Sequence, residues 1–270
     1  MAYLEPSKFV AKMVKLGESK VHMSSKDTWI RAYMAGAILA LAAVFAITVT
    51  VKTGAPLLGA MLFPVGFIML YLMKFDLLTG VFTLVPLAWL DKRQGVTIKK
   101  VLRNWGLVFL GNFAGALTVA FLMSFVFTYG YNVDGGAIAE KVGAIGESRT
   151  LGYKQYGLDG WITIFIRGML CNWMVSMGVV GAVISTSATS KMLAMWMPIM
   201  LFFYMEFEHS IVNMFLFPFS MIMGGGFTVA DYLIWNELPT ILGNLVGGLL
   251  FVGLPLYYTY IKKSPGIQKD

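Results

Sequence analysis

Residues 206–219 read EFEHSIVNMFLFPF. Two glutamates and a histidine open a run otherwise apolar enough to cross a bilayer. Ionisable side chains at that depth are costly and turn toward protein or water rather than lipid. The whole chain shares this character, with 58% of its 270 residues hydrophobic, 13% charged and a mean hydropathy of +0.73. A water-soluble domain carries about a quarter charged residues, so the composition specifies an all-α polytopic membrane protein. A single cysteine, Cys171, leaves no intrachain disulfide framework. The net charge of +7 comes from basic residues flanking apolar segments, not from one patch, so no nucleic-acid partner is expected.

Working outward from that run, apolar stretches lie near 29–51, 57–90, 104–128, 161–186, 192–223 and 238–261. Each is long enough for the ~20 residues a transmembrane helix needs. The second and fifth are too long for one simple helix. KFDLLTG (74–80) breaks the second, and FPFSMIMGGG (217–226) breaks or ends the fifth. The N-terminal MAYLEPSKFVAKMVKLGESK lacks the apolar core of a cleavable signal and reads as a basic amphipathic helix starting near Pro6.

Basic residues fix an expected orientation. Fifteen lie before or at the start of span one, between spans two and three, after span four and in the tail, whereas the alternate loops hold only Lys52, Lys141, Arg149 and Lys154. Both termini are therefore expected in the cytoplasm. The expected organisation is a cytoplasmic amphipathic segment over 1–28, a six-span domain over 29–262 and a cytoplasmic tail over 263–270.

The two halves resemble each other. GNFAGAL begins at Gly111 and GNLVGGL at Gly243, 132 residues apart, and the same displacement lays Phe75-Asp76 on Phe207-Glu208. Three spans per copy is an odd number, so the second copy is inverted, an arrangement that places a pathway between discontinuous helices. The copies run over about 29–128 and 161–261, joined by an outer loop at 129–160. Asp76 and Glu208 thus sit at equivalent helix breaks, where they either tie down irregular backbone or contact a solute. Lys74 falls opposite Glu206 in the repeat, which allows an ion pair between them. His209 sits near the centre of span five, where an imidazole lines a pathway and exchanges protons near neutral pH.

Two distant histidines without a His-Glu-x-x-His string make neither a zinc site nor a metalloenzyme. No metal, cofactor or enzymatic activity is expected. A channel for water or small neutral solutes is the rival on architecture, but its Asn-Pro-Ala caps are missing.

FEHSIVNMF (207–215), DLLTG (76–80), NWGLVFLGNFAGAL (104–117) and LPTILGNLVGG (238–248) resemble the formate/nitrite transporter family, and the similarity runs from about Pro6 to Lys263. The resemblance implies an aquaporin-like protomer in a homopentamer, with one pathway per protomer for a small monovalent weak-acid anion. Formate is the leading expectation; nitrite, hydrosulfide, acetate and lactate are the alternatives. It also implies that His209, Thr79, Asn172 and Asn213 line that pathway; if His209 is the proton donor, the relay expected runs through Glu208 or Asn213. Phe63 and Phe202 match the outer constriction; Phe67, Leu78 and Val175 match the inner one. Three positions depart from the family pattern: Leu78 replaces a frequent phenylalanine, Lys74 a small residue, and Tyr156 a lysine before span four.

Overall fold

The computed structural model describes residues 3–261, and the tail expected over 263–270 lies outside them. Apart from a single bridge between Tyr3 and Ser185, the described chain is helical. Helix α1 (Pro6–His22) starts on Pro6 and buries Phe9, Val10, Met13, Val14, Gly17 and Val21, the one-sided stripe of an amphipathic helix.

Four helices are long and apolar enough to cross a membrane: α2 (Ser25–Thr53), α5 (Ile98–Phe127), α8 (Gly157–Ile184) and α11 (Val229–Tyr260). Between them run two interrupted segments. The first is α3 (Pro56–Leu72) followed by α4 (Leu78–Leu90); the second is α9 (Ala188–Tyr204) followed by α10 (Ser210–Ile222). The stretch read from sequence as an outer connection carries α6 (Gly136–Ser148) and the short α7 (Leu151–Lys154). Helix α5 starts at Ile98, so the basic segment Lys99–Arg103 belongs to its first turns.

Close helix contacts follow the repeat. Helices α2 and α5 pack together, as do α8 and α11. A Cβ on Gly115 would meet Tyr33 O at 2.0 Å, and one on Gly247, 132 residues later, would meet Met169 O at 2.1 Å. Glycines there let backbones approach without hydrophobic drive between helices. Pro86 inside α4 and Pro218 inside α10 stand at the same displacement, as expected for duplicated half-helices. Two π-helical turns, Leu233–Glu237 and Leu249–Gly253, interrupt α11.

Helix α1 lies on α4, with Gly17 so close that a Cβ would sit 2.2 Å from Leu84 O. This docking roofs one end of the bundle, and α6 packs against α10 near the other cavity.

Candidate functional site

The site is built where α3 and α9 stop. Helix α3 closes with Lys74 N donating to Tyr71 O and Phe75 N to Leu70 O, at 3.0 and 2.9 Å, while Lys74 adopts φ +60°. Helix α9 closes the same way: Glu206 N reaches Phe203 O at 3.1 Å, Phe207 N reaches Phe202 O at 3.0 Å, and Glu206 has φ +53°. This left-handed closure usually takes glycine, and a side chain there costs about 1–2 kcal/mol. The break in span five is thus at Met205–His209, and the glycine run at 217–226 only ends α10. Lys74 and Glu206 line different cavities, so the allowed ion pair between them does not form.

Each break is held by one buried asparagine. Asn112 accepts from Leu78 N at 2.9 Å and donates to Ala32 O and Asp76 O at 2.8 and 2.9 Å. Asn244 accepts from Ser210 N at 3.0 Å and donates to Gly168 O and Glu208 O at 2.8 and 2.9 Å. The first N–H of each half-helix and the penultimate carbonyl of each break are thereby satisfied, which backbone in hydrocarbon requires.

The carboxylates are paired with cations. Asp76 bonds Lys20 of α1, while Asn104 donates to the Lys20 carbonyl at 3.2 Å. Glu208 faces Arg149 at 3.6 Å, while Asn236 donates to the Arg149 carbonyl at 3.0 Å. Glu208 also accepts from Asn213 and Asn236, at 2.9 and 3.2 Å. Sequence reasoning passed over Lys20, Asn104, Arg149 and Asn236 here. Asn104 and Asn236 were findable, being 132 residues apart. Near Tyr156, the cation beside Glu208 is Arg149, and Lys154 turns to Asp231 at 2.8 Å. Tyr153, beside this pair on α7, has its phenol pushed upward by burial and next by Glu208.

His209 caps α10, its Nδ1 accepting from Val212 N at 3.3 Å. An Nδ1 used as acceptor leaves the N–H of a neutral imidazole on Nε2, which lies 3.3 Å from Thr79 Oγ1. Thr79 comes from the second turn-forming residue of α4, so each half-helix contributes one member of the contact. The Phe202 ring stacks on His209 at 5.4 Å and meets Phe63 edge-on at 5.7 Å. Phe67, Leu78 and Val175 are buried in the same core.

A cavity of about 110 Å³ is lined by His209, Phe202 and Asn213 together with Lys141, Arg149 and Glu206. A second, about 620 Å³, is lined by residues of α1 and by Phe67. Thr79, Phe63, Leu78, Val175 and Asn172 line neither cavity. Asn172 gives its amide hydrogens to Thr79 O and Asn244 O, at 3.1 and 2.6 Å. Asn213 Oδ1, by contrast, is buried without a hydrogen-bond partner. Glu237 is a further buried carboxylate that the sequence reading missed, bonded by Ser210 and by Tyr232 at 2.9 Å. Its repeat counterpart is Trp105, so symmetry gave no signal. Among the described residues no cluster of His, Cys, Asp or Glu fits a metal.

The sequence model of the family described as "Formate/nitrite transporter" matches residues 7–258. The chain belongs to this family. It is 32% identical over 252 residues to a probable formate transporter of Methanothermobacter thermautotrophicus, covering 87% of this chain and 89% of the relative. It is 30% identical over 276 residues to the uncharacterized transporter YrhG of Bacillus subtilis, covering 98% and 96%. Among solved structures, one described as a pentameric formate channel with formate bound superposes with a TM-score of 0.72 at 25% identity, covering 87% of this chain and 97% of the other. Family members are channels and transporters, and this chain is accordingly a multi-pass membrane protein of that kind.

Proposed function

We propose that the chain carries small monovalent weak-acid anions, formate first, through one pathway in each protomer of a homopentamer. The protomer has six spans in two inverted repeats and sits in the cytoplasmic membrane with both termini inside, so the α1-side cavity faces the cytoplasm. The observation that carries this reading is the pair of equivalent helix breaks converging on the buried His209–Thr79 contact, closed off by Phe63 and Phe202.

The chemistry follows from the closure. An isolated carboxylate moved into low dielectric costs an idealised ~20 kcal/mol, and still several after relaxation. A neutral acid forfeits only hydrogen bonds, roughly a few kcal/mol. The anion is therefore gathered in the basic vestibules and crosses the rings at Phe63 and Phe202 and the inner set Phe67, Leu78 and Val175 as its conjugate acid, together with a proton. His209 Nε2–H and the Thr79 hydroxyl supply donors for the acid's carbonyl, and the unpartnered Asn213 Oδ1 supplies an acceptor for its hydroxyl. Asn172 holds the Thr79 carbonyl and so positions the donor. Glu208, bonded to Asn213, links the acceptor to Arg149.

Proteoliposomes preloaded at one pH and given labelled formate at a lower outside pH test this. Uptake driven by the proton gradient, and reduced about tenfold in His209→Asn by loss of one ~1.4 kcal/mol hydrogen bond, is expected. Uptake indifferent to the gradient would refute the neutral-acid step. A panel of nitrite, hydrosulfide, acetate and lactate in the same vesicles ranks the substrates.

A further inference from the structure

The α1-side cavity is larger than a substrate of three heavy atoms requires. Its walls carry Lys12, Lys20, Arg31, Lys74 and Lys191 against a single acid, Asp76, and that acid is taken by Lys20. Among the described residues four cations are left uncompensated, contributed by α1, α2, the first helix break and α9. The α6-side cavity is different, with Lys141 and Arg149 set against Glu206. We infer that the α1-side cavity is a binding site for a compact oxyanion bearing two or more negative charges, of the pyrophosphate kind, which occludes the pathway from that side.

Three observations support the site. Lys12 has one hydrogen bond, to Val183 O at 3.4 Å, and its ammonium is pushed downward by burial and then by Lys191. Neighbouring cations that repel one another in a half-enclosed space are relieved by an anion, and Coulomb attraction grows in proportion to the anion's charge. The volume, about 620 Å³, admits a solute of several heavy atoms. Phe67 is one of its lining residues, and Leu78 and Val175 are buried outside it. A multivalent anion cannot shed its charge with one proton, so it is attracted into the vestibule but turned back at these apolar residues. Occupancy then competes with the monovalent substrate.

This inference rests on the proposed function for its effect on flux, but not for binding. Purified full-length protein is titrated with pyrophosphate by calorimetry at fixed ionic strength. In parallel, formate flux is measured in phosphatidylcholine vesicles with pyrophosphate placed on one side or the other. Expected results are saturable binding and competitive inhibition from the α1 side alone. The double variant Lys12→Gln/Lys191→Gln removes two of the four free cations and should raise both midpoints about tenfold. Lys15→Gln removes one cation of α1 away from the cavity and should leave both midpoints unmoved. Inhibition is normalised to each variant's own flux. Absence of binding heat, equal inhibition from both sides, or an equal effect of Lys15→Gln would each overturn the inference. Binding that persists in vesicles moving no formate would sink the substrate assignment and leave this site standing.

Discussion

Asn244→Ala tests the account of the helix breaks most directly. Asn244 is fully buried, and its side chain makes three hydrogen bonds to backbone. Gly168 O lies inside α8 and keeps its helical partner when the amide is removed. Ser210 N opens α10 and Glu208 O precedes it, so neither has an intrahelical partner to fall back on. Two buried backbone groups are orphaned at about 1–3 kcal/mol each, a total near 4 kcal/mol. At roughly 2–4 °C per kcal/mol for a chain approaching this size, the unfolding midpoint drops by about 8–16 °C. Because the repeat gives Asn112 the same inventory, with Leu78 N and Asp76 O left orphaned, Asn112→Ala should cost the same within about 1 kcal/mol. Thermal unfolding of purified protein, followed by fluorescence of its seven tryptophans, reads both. A shift below about 2 °C in Asn244→Ala, or several-fold disagreement between the two variants, would show that the breaks are not held by these side chains.

Four further outcomes follow from the same geometry. Arg149→Met leaves the buried Glu208 carboxylate without its cation and should destabilise by about 3–5 kcal/mol, while Arg149→Lys retains most of the stability; thermal melts of both decide. Gly247→Ala would place a Cβ 2.1 Å from Met169 O and should cost at least about 1–3 kcal/mol by forcing α8 and α11 apart. Gly106→Ala on α5 meets nothing within 4 Å and should gain up to about 1 kcal/mol in the same melt. Val81 occupies the place of Asn213 in the repeat, and Asp76 Oδ2 is buried without a hydrogen bond. Val81→Asn supplies the missing donor and should raise the midpoint by about 2–4 °C; a fall would deny that the two carboxylate sites are equivalent.

Much of this architecture is visible in the sequence because hydrocarbon leaves few options. Apolar length marked α2, α5, α8 and α11, and KFDLLTG marked the first break through its charges. The second break was harder to place. FPFSMIMGGG draws attention through its glycines, but the interruption at Met205–His209 has neither glycine nor proline and is closed by Glu206 in a left-handed conformation. Only the repeat reveals it. Helices α6 and α7 lie in a Gly-rich stretch with no long apolar face, so neither span length nor periodicity exposed them. Arg149 was counted only as a loop cation, since its partner is 59 residues away and nothing local joins them. GNFAGAL and GNLVGGL served only to register the repeat, and the asparagine in each proved to hold a break.

The repeat also separates support from chemistry. Conserving a role in both halves is what a duplicated scaffold does. The left-handed closures at Lys74 and Glu206, the carboxylates Asp76 and Glu208, the asparagine pairs 104/236 and 112/244, and the cations Lys20 and Arg149 all occur twice. The residues meeting at the centre do not. His209 corresponds to Leu77, Thr79 to Ile211, and Asn213 to Val81. A symmetric pair of breaks would present two identical polar sites in series, and a solute would have to be solvated and stripped twice. Placing Thr79 on one half-helix and His209 on the other gives a single contact at 3.3 Å, with the Phe202 ring stacked on the imidazole. On the proposed function, two equivalent scaffolds then serve one asymmetric site, and a residue present in only one half is where altered selectivity is to be sought.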